Sequence, residues 1–420
     1  MKRAKLASLA PDWLTTYAGV ILSTGFLINV GAGFARSTHS ITVPSMREDL
    51  GISYTRAGLL VTTAWAVRIG SSLAAGTLAP RFGSRYIIGV GAIIAGLAML
   101  FLGYSPNFSV ALGAMALMGL GGGAALIPMM GLVAPWFDMR NRGMAAGVAA
   151  SGGSLAIVIA GLVAPRLIDQ SPADGWRQTW YIFGGVTLAI GIFALIFLRD
   201  RPPDPTQTPD PGQRREARGA WPLEVYKRPI LWLLAYLGFC SGAATGVFNA
   251  FFGAYLTDDK GISLATAGQL LLLVGVLSMV SGILWGRVSD WLGRSWAFRL
   301  TFFIQGTGFA LFWLSPVMAT FVVASALLGL TFRSGFTLLA AASGDHVPDH
   351  FASAAFALIS VGAGLGGTLS PILAGVIADT VGISWAFALG FGASLMGMAG
   401  SFVLAAHRTP AQSAAVGPDS

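Results

Sequence analysis

Charge is what this 420-residue chain has least of: Asp, Glu, Lys and Arg make up 10% of it, against 55% apolar residues. A soluble domain carries roughly 25% charged residues, so a chain this poor in charge cannot cover a water-facing surface. Acid is scarcer than base, 18 residues against 26, for a net charge of +8. The single cysteine, Cys240, excludes an intrachain disulfide and reads as a small core residue. No Walker-type phosphate loop is present, which argues against direct ATP drive. No metal-binding cluster is evident either, so neither a metal nor another cofactor is expected.

What the chain has instead is long apolar runs. They fall at about 14–44, 55–79, 85–104, 107–134, 143–165, 177–198, 230–256, 265–287, 297–315, 318–342, 352–378 and 384–406. Most have the roughly 20 residues that cross about 30 Å of hydrocarbon as helix. The basic residues sort by side. With the N-terminus in the cytoplasm, eighteen, from Lys2 to Arg408, fall on internal segments and five (Arg47, Arg56, Arg166, Arg177 and Lys260) on external ones. By the positive-inside rule both termini are expected to be cytoplasmic, with the chain spanning the inner membrane. The same sorting excludes a nucleic-acid partner, which needs basic residues clustered on one soluble face.

From Arg199 to Trp221 the sequence turns polar and proline-rich and cannot bury a core. The expected organisation is an N-terminal bundle over 1–198, a cytoplasmic linker over 199–229, a C-terminal bundle over 230–406 and a cytoplasmic tail over 407–420. The two halves align at an offset of 210 residues. Ten of the 35 positions from 49 to 83 are identical without a gap, among them Asp49/Asp259, Gly51/Gly261, Gly58/Gly268, Gly76/Gly286 and Gly83/Gly293. A shared loop with shared glycines at one register indicates tandem duplication.

The turn Gly76-Thr-Leu-Ala-Pro-Arg81-Phe-Gly83-Ser-Arg85, and its counterpart Gly286-Arg-Val-Ser-Asp290-Trp-Leu-Gly293-Arg294, resemble the signature G-x-L-A-D-R-x-G-R-K of the major facilitator superfamily. Trp136-Phe-Asp-Met-Arg-Asn-Arg-Gly143, Gly175-Trp-Arg177 and Pro371-Ile-Leu-Ala-Gly375 with Asp379 extend the resemblance over most of the chain. It implies an all-α membrane protein of twelve transmembrane helices in two pseudo-symmetric six-helix bundles, working as a secondary transporter by alternating access, with substrate near the midplane. Gly76, Arg81, Gly83, Arg85, Gly286, Asp290, Gly293 and Arg294 are then gating residues: the glycines let helices approach and turn, and the charges hold the cytoplasmic side shut. Pro80 stands where the family carries aspartate, so the second copy keeps the better gate.

Inside the spans lie Arg36, Arg68 and Arg333, with no Asp or Glu. An arginine at mid-bilayer costs roughly 2.5–3.5 kcal/mol on insertion scales. Three without acidic partners make an electropositive interior suited to an anion, most simply a small carboxylate. Arg36, eight residues before Pro44, resembles the anion-binding arginine of organophosphate:phosphate antiporters and anion:cation symporters. Asn29 and His39 share its helix face, and His39 is a candidate for a coupling proton. Arg333, in the cavity-lining tenth helix of the resembling fold, is expected to face Arg36 from the other half. Arg68 either reaches the substrate or stacks on Trp65, and Asn249 corresponds to His39 under the repeat.

The expected partners are a small anionic substrate, a coupling ion and the lipid bilayer, with the chain acting as a monomer. Export of lipophilic drugs is the alternative among transporters. The fourth span has Met115, four residues before Gly119, where many members carry arginine, and the fifth lacks the antiporters' Gly-Pro pair; both argue against it. A channel would leave the duplicated gating turns unexplained. An intramembrane enzyme would need a catalytic set that one histidine and no acid do not supply.

Overall fold

The computed structural model describes residues 17–133, 136–137, 142–200, 226–347 and 352–406, and among them all regular structure is helical. The N-terminal basic cluster, Arg140, linker residues 201–225 and the tail from 407 lie outside the described residues. The helices are α1 (Tyr17–Leu50), α2 (Tyr54–Phe82), α3 (Ser84–Tyr104), α4 (Phe108–Val133), α5 (Arg142–Gln170), α6 (Gly175–Phe197), α7 (Pro229–Ala254), α8 (Leu264–Leu292), α9 (Arg294–Leu314), α10 (Met318–Thr331), α11 (Ser334–Asp345), α12 (Ala352–Thr380) and α13 (Ile383–Ala406). With α10 and α11 together forming one span, twelve helical segments are long and apolar enough to cross a membrane. Large apolar side chains such as Leu73, Phe82, Phe101, Ile196, Ile283 and Leu373 are exposed. That much bare hydrocarbon is stable only against lipid, and the chain is a multi-pass membrane protein.

Two features differ from the sequence expectation. Several helices outrun the apolar spans, so Glu48, Asp49, Asp290, Asp345 and Asp379 stand on helix ends, where backbone bonding continues past the hydrocarbon boundary. The tenth span, read as one helix over 318–342, is broken at Phe332–Arg333. The break survives because α8 serves the freed backbone: Trp285 Nε1 donates to the Leu330 carbonyl at 2.7 Å, and the Arg333 N–H donates to Ser281 Oγ at 3.3 Å. In hydrocarbon an interruption persists only where side chains re-satisfy it.

The repeat is visible in local geometry. Gly51 and Gly261 adopt φ +59° and +63°, and Gly83 and Gly293 adopt +92° and +85°. These left-handed turns suit a residue without a Cβ. Ser53 and Ser263 each accept an N–H three residues on, from Arg56 and Thr266, both at 3.3 Å, capping α2 and α8 alike.

The chain forms two compact units. One comprises Met1–Thr38, Val67–Ile157 and Arg177–Thr208; the other comprises His39–Ala66, Val158–Trp176 and Pro209–Ser420. Lipid tails are as apolar as leucine, so close packing rather than hydrophobic segregation holds helices together. In the first unit α3 lies so close to α4 that a Cβ on Gly91 would sit 2.9 Å from the Gly121 carbonyl oxygen. Phe34 stacks on Phe183 at 4.2 Å. In the second unit Gly238, Gly242, Gly362 and Gly366 press α7 against α12, backbone to backbone. Beside them Tyr255, Phe312, Phe321 and Phe387 form an aromatic cluster, with the Tyr255 hydroxyl donating to the Phe312 carbonyl.

Gly76 and Gly286 do not act as expected. A Cβ at Gly76 meets nothing within 4 Å, and at Gly286 only a methyl group at 3.9 Å, so neither is required here for close approach. Gly242→Ala, which drives a Cβ into the Ala363 carbonyl, should destabilise by about 1–3 kcal/mol. Gly76→Ala should be neutral or stabilising by up to about 1 kcal/mol. Thermal unfolding of the detergent-purified variants checks both.

Candidate functional site

The intramembrane arginines are not equivalent. All three are half-buried. Arg68 and Arg333 are each engaged in polar or ring contacts. Arg36, in contrast, has no hydrogen bond, ion pair or ring contact among the described residues. It is held on α1 where the helix is pressed into the first unit: a Cβ on Gly33 would meet Gly153 of α5 at 3.0 Å, and Phe34 is fixed against Phe183. The guanidinium therefore has a rigid base and an unused fork of N–H donors. Asn29, two turns earlier, is 2% exposed and turns its amide to the Gly25 carbonyl at 3.0 Å.

His39 and Asn249 belong to the second unit. His39 is 1% exposed, and its ring lies near the Ala57 backbone without a well-formed hydrogen bond at either nitrogen. Asn249 is buried next to Phe248, and one turn further along α7 a Cβ on Gly253 would clash with the Ser40 carbonyl of α1.

At its end carrying the α1–α2 and α7–α8 loops, the second unit is tied together in a way the sequence did not reveal. Arg47 of α1 pairs with Asp258 at 2.8 Å and stacks over the Tyr54 ring at 3.3 Å, and the Tyr54 hydroxyl donates to the same carboxylate at 3.0 Å. Asp379, at the end of α12, accepts the Tyr54 and Thr55 N–H groups at 2.9 and 2.8 Å, an acid on a helix N-terminus. Gly58 abuts the Pro371 carbonyl and Gly268 the Gly161 carbonyl; the two contacts are related by the 210-residue offset. Gly58 and Gly268 stood out in the repeat, but only the fold shows what they press against.

The signature turns divide by charge. Arg294 bonds Ser289 at 2.6 Å, Asp290 at 3.0 Å and Asp345 at 2.8 Å, tying the α8–α9 turn to the end of α11. In the first copy Pro80 leaves no such carboxylate, and Asp200, just past α6, accepts the Arg85 N–H at 2.7 Å. Arg85 Nε donates to the Leu195 carbonyl at 2.6 Å. Arg81 is exposed.

The profile of the Major Facilitator Superfamily matches residues 25–291 and 234–419. The chain belongs to the major facilitator superfamily. It is 23% identical over 383 residues to a probable sulfoacetate transporter of Cupriavidus necator, covering 86% of this chain and 88% of that one. It is 26% identical to a probable galactarate/D-glucarate transporter of Escherichia coli, covering 83% and 84%. Among solved structures, a bacterial homologue of the human lysosomal transporter Spinster superposes with a TM-score of 0.74 at 15% identity, over 93% of this chain and 96% of that one. The nucleoside transporter NupG gives 0.71 at 12%, over 92% and 99%. These superpositions carry the fold, and the family makes this chain a transporter.

The α10–α11 break offers a direct check on the site's scaffold. Trp285→Phe keeps the ring but strands the Leu330 carbonyl, which should lower stability by about 1–3 kcal/mol. It should also speed amide hydrogen exchange around Phe332–Arg333 relative to the rest of the chain. Unchanged exchange there would show that the indole does not hold the break.

Proposed function

We propose that this transporter moves a small organic anion, a carboxylate, across the cytoplasmic membrane, with Arg36 as its principal anion ligand. The observation that carries this reading is that, among the described residues, the Arg36 guanidinium has no polar or ring partner on a rigid, half-buried stretch of α1. A folded membrane protein satisfies its interior charges; one left without a partner is set aside for a ligand. A carboxylate or sulfonate meets the guanidinium fork through two parallel charge-assisted hydrogen bonds. Relatives named for sulfoacetate, galactarate and D-glucarate support the same class. Arg68, Arg333, Asn29, His39 and Asn249 are proposed as the remaining ligands or their supports.

The proposed cycle is alternating access between the two six-helix bundles, 1–198 and 230–406, joined by the 199–229 linker, with 407–420 as the tail. The basic residues put both termini in the cytoplasm, which makes the tied end of the second unit the outer one. Substrate passage then requires Arg47 to part from Asp258 and Asp379 to leave the start of α2, while Arg294, Asp290, Arg85 and Arg81 serve the cytoplasmic side. The driving gradient is that of an ion or a counter-anion, and the working unit is a monomer.

Proteoliposomes test the reading. Internal sulfoacetate or glucarate should accelerate entry of the labelled anion, as counterflow through a carrier demands. Arg36→Gln should cut this entry by about a hundredfold, the scale expected when one partner of a desolvated charge pair is removed. Its thermal stability without substrate should hold or rise, because an uncompensated charge is gone. Full transport by Arg36→Gln, or inhibition by lipophilic cations and not by carboxylates, would sink the proposal.

A further inference from the structure

One basic side chain outside the transport path is held in an unusual way. Arg299, on α9, is half-buried, and its guanidinium lies 4.8 Å from the Trp296 ring and 4.3 Å from the Phe402 ring of α13. Its Nε is buried without a hydrogen-bond partner, and among the described residues the two rings are its only polar or ring contacts. Several other cations among the described residues bond to oxygen, although exposed Arg199 also lies over a ring, that of Tyr17, at 4.4 Å. Arg47, Lys260 and Arg294 pair with carboxylates, while Arg85, Arg177 and Arg228 donate to carbonyls.

The surroundings of Arg299 face lipid. Trp296 is 56% exposed, Phe402 55% and Phe303, one turn beyond Arg299 on α9, 60%. Arg299 lies five residues into α9, which begins at Arg294, so it sits about 7.5 Å along the helix axis. Phe402 lies four residues before the end of α13 at Ala406. Both are thus about one turn inside their helix ends, at the depth where headgroups meet acyl chains and aromatic belts form. Rings on the guanidinium leave its terminal N–H edge as the free hydrogen-bonding surface, and that edge matches two oxygens of one phosphate. The rings themselves suit the glycerol and upper acyl carbons beside it.

We propose that Arg299, clamped by Trp296 and Phe402, is a binding site for the headgroup phosphate of an anionic phospholipid. On the orientation proposed above the site lies in the cytoplasmic leaflet, where juxtamembrane cations meet anionic lipid. The site is separate from substrate recognition and stands whether or not the cargo is a carboxylate.

Phosphatidylglycerol and phosphatidylcholine, added in turn to the full chain purified in neutral detergent, test it by thermal shift and by native mass spectrometry of retained lipid. Phosphatidylglycerol should raise the unfolding temperature above the phosphatidylcholine value. Arg299→Gln should weaken its retention by about tenfold or more, the loss expected for a charge-assisted hydrogen bond, with phosphatidylcholine retention unchanged. Equal effects of the two lipids on the wild type would overturn the proposal. So would reproduction of the shift by inorganic phosphate, or undiminished phosphatidylglycerol retention by Arg299→Gln. Should that variant not fold, Phe402→Leu keeps the charge and opens the clamp: reduced phosphatidylglycerol retention supports the site, and unchanged retention overturns it.

Discussion

Water is missing from the hydrocarbon, so every polar group there must find its partner within the protein. The architecture follows from that constraint. Backbone groups are closed into helices, and serine and threonine hydroxyls donate back to carbonyls of their own helix, as Thr24, Ser37, Thr63 and Thr187 do. Where helices start or break, side chains come in from elsewhere: Asp379 at α2, Asp200 at α3, Trp285 and Ser281 at the α10–α11 interruption. Among the described residues the Arg36 guanidinium has no polar or ring partner, while His39 is one of several buried polar side chains, Thr301, Ser325 and Ser370 among them, without a well-formed hydrogen bond.

Duplication accounts for the scaffold, and divergence between the copies accounts for the chemistry. At the 210-residue offset the loop glycines, the serine caps and the Gly58 and Gly268 contacts correspond. Even the Leu120 and Leu330 carbonyls are matched, one accepting from Ser71 and the other from Trp285. Arg36, Arg47 and Arg333, proposed for transport, have no such twins. Arg36 corresponds to Gly246, Arg47 to Thr257 and Arg333 to Gly123. Gly246 and Gly123 are both pressed against neighbouring helices. A position that one copy uses for packing has become, in the other, a place for charge.

The difference between what could and could not be read from sequence follows from range. Spans, turn glycines and the repeat register depend on residues within a few turns, and they were legible. The contacts that engage Arg68 and Arg333 but not Arg36 were not, because the sequence showed only that no acid shares their depth. The Arg47–Asp258 pair and the Asp379 cap join residues 211 and more than 300 positions apart, and no local pattern announces them. The broken tenth span was hidden for another reason. Its sequence, Gly329-Leu-Thr-Phe-Arg-Ser-Gly335, contains no proline, and the bonds that sustain the interruption come from α8. Gly76 and Gly286 were misread because the signature implied close packing where the fold leaves room.

On the proposed cycle, the polar contacts between the α1–α2 and α7–α8 ends must be strong enough to form and weak enough to break. The Arg47–Asp258 side chains keep 20% and 26% of their exposure, and a pair that wet contributes on the order of 1 kcal/mol or less. Asp379 is itself exposed, so its two bonds to the start of α2 add about as much as a single helix cap. Together these polar contacts amount to about 1–3 kcal/mol by the same scale. Driving a two-state protein from 1:99 to 99:1 takes roughly 5.5 kcal/mol of differential ligand binding. A carboxylate that satisfies Arg36 in one state better than in the other would supply energy of that order. On the proposed cycle the unpaired arginine and the modest latch belong together: an interior charge satisfied only by cargo would lend its binding energy to a seal that yields to it.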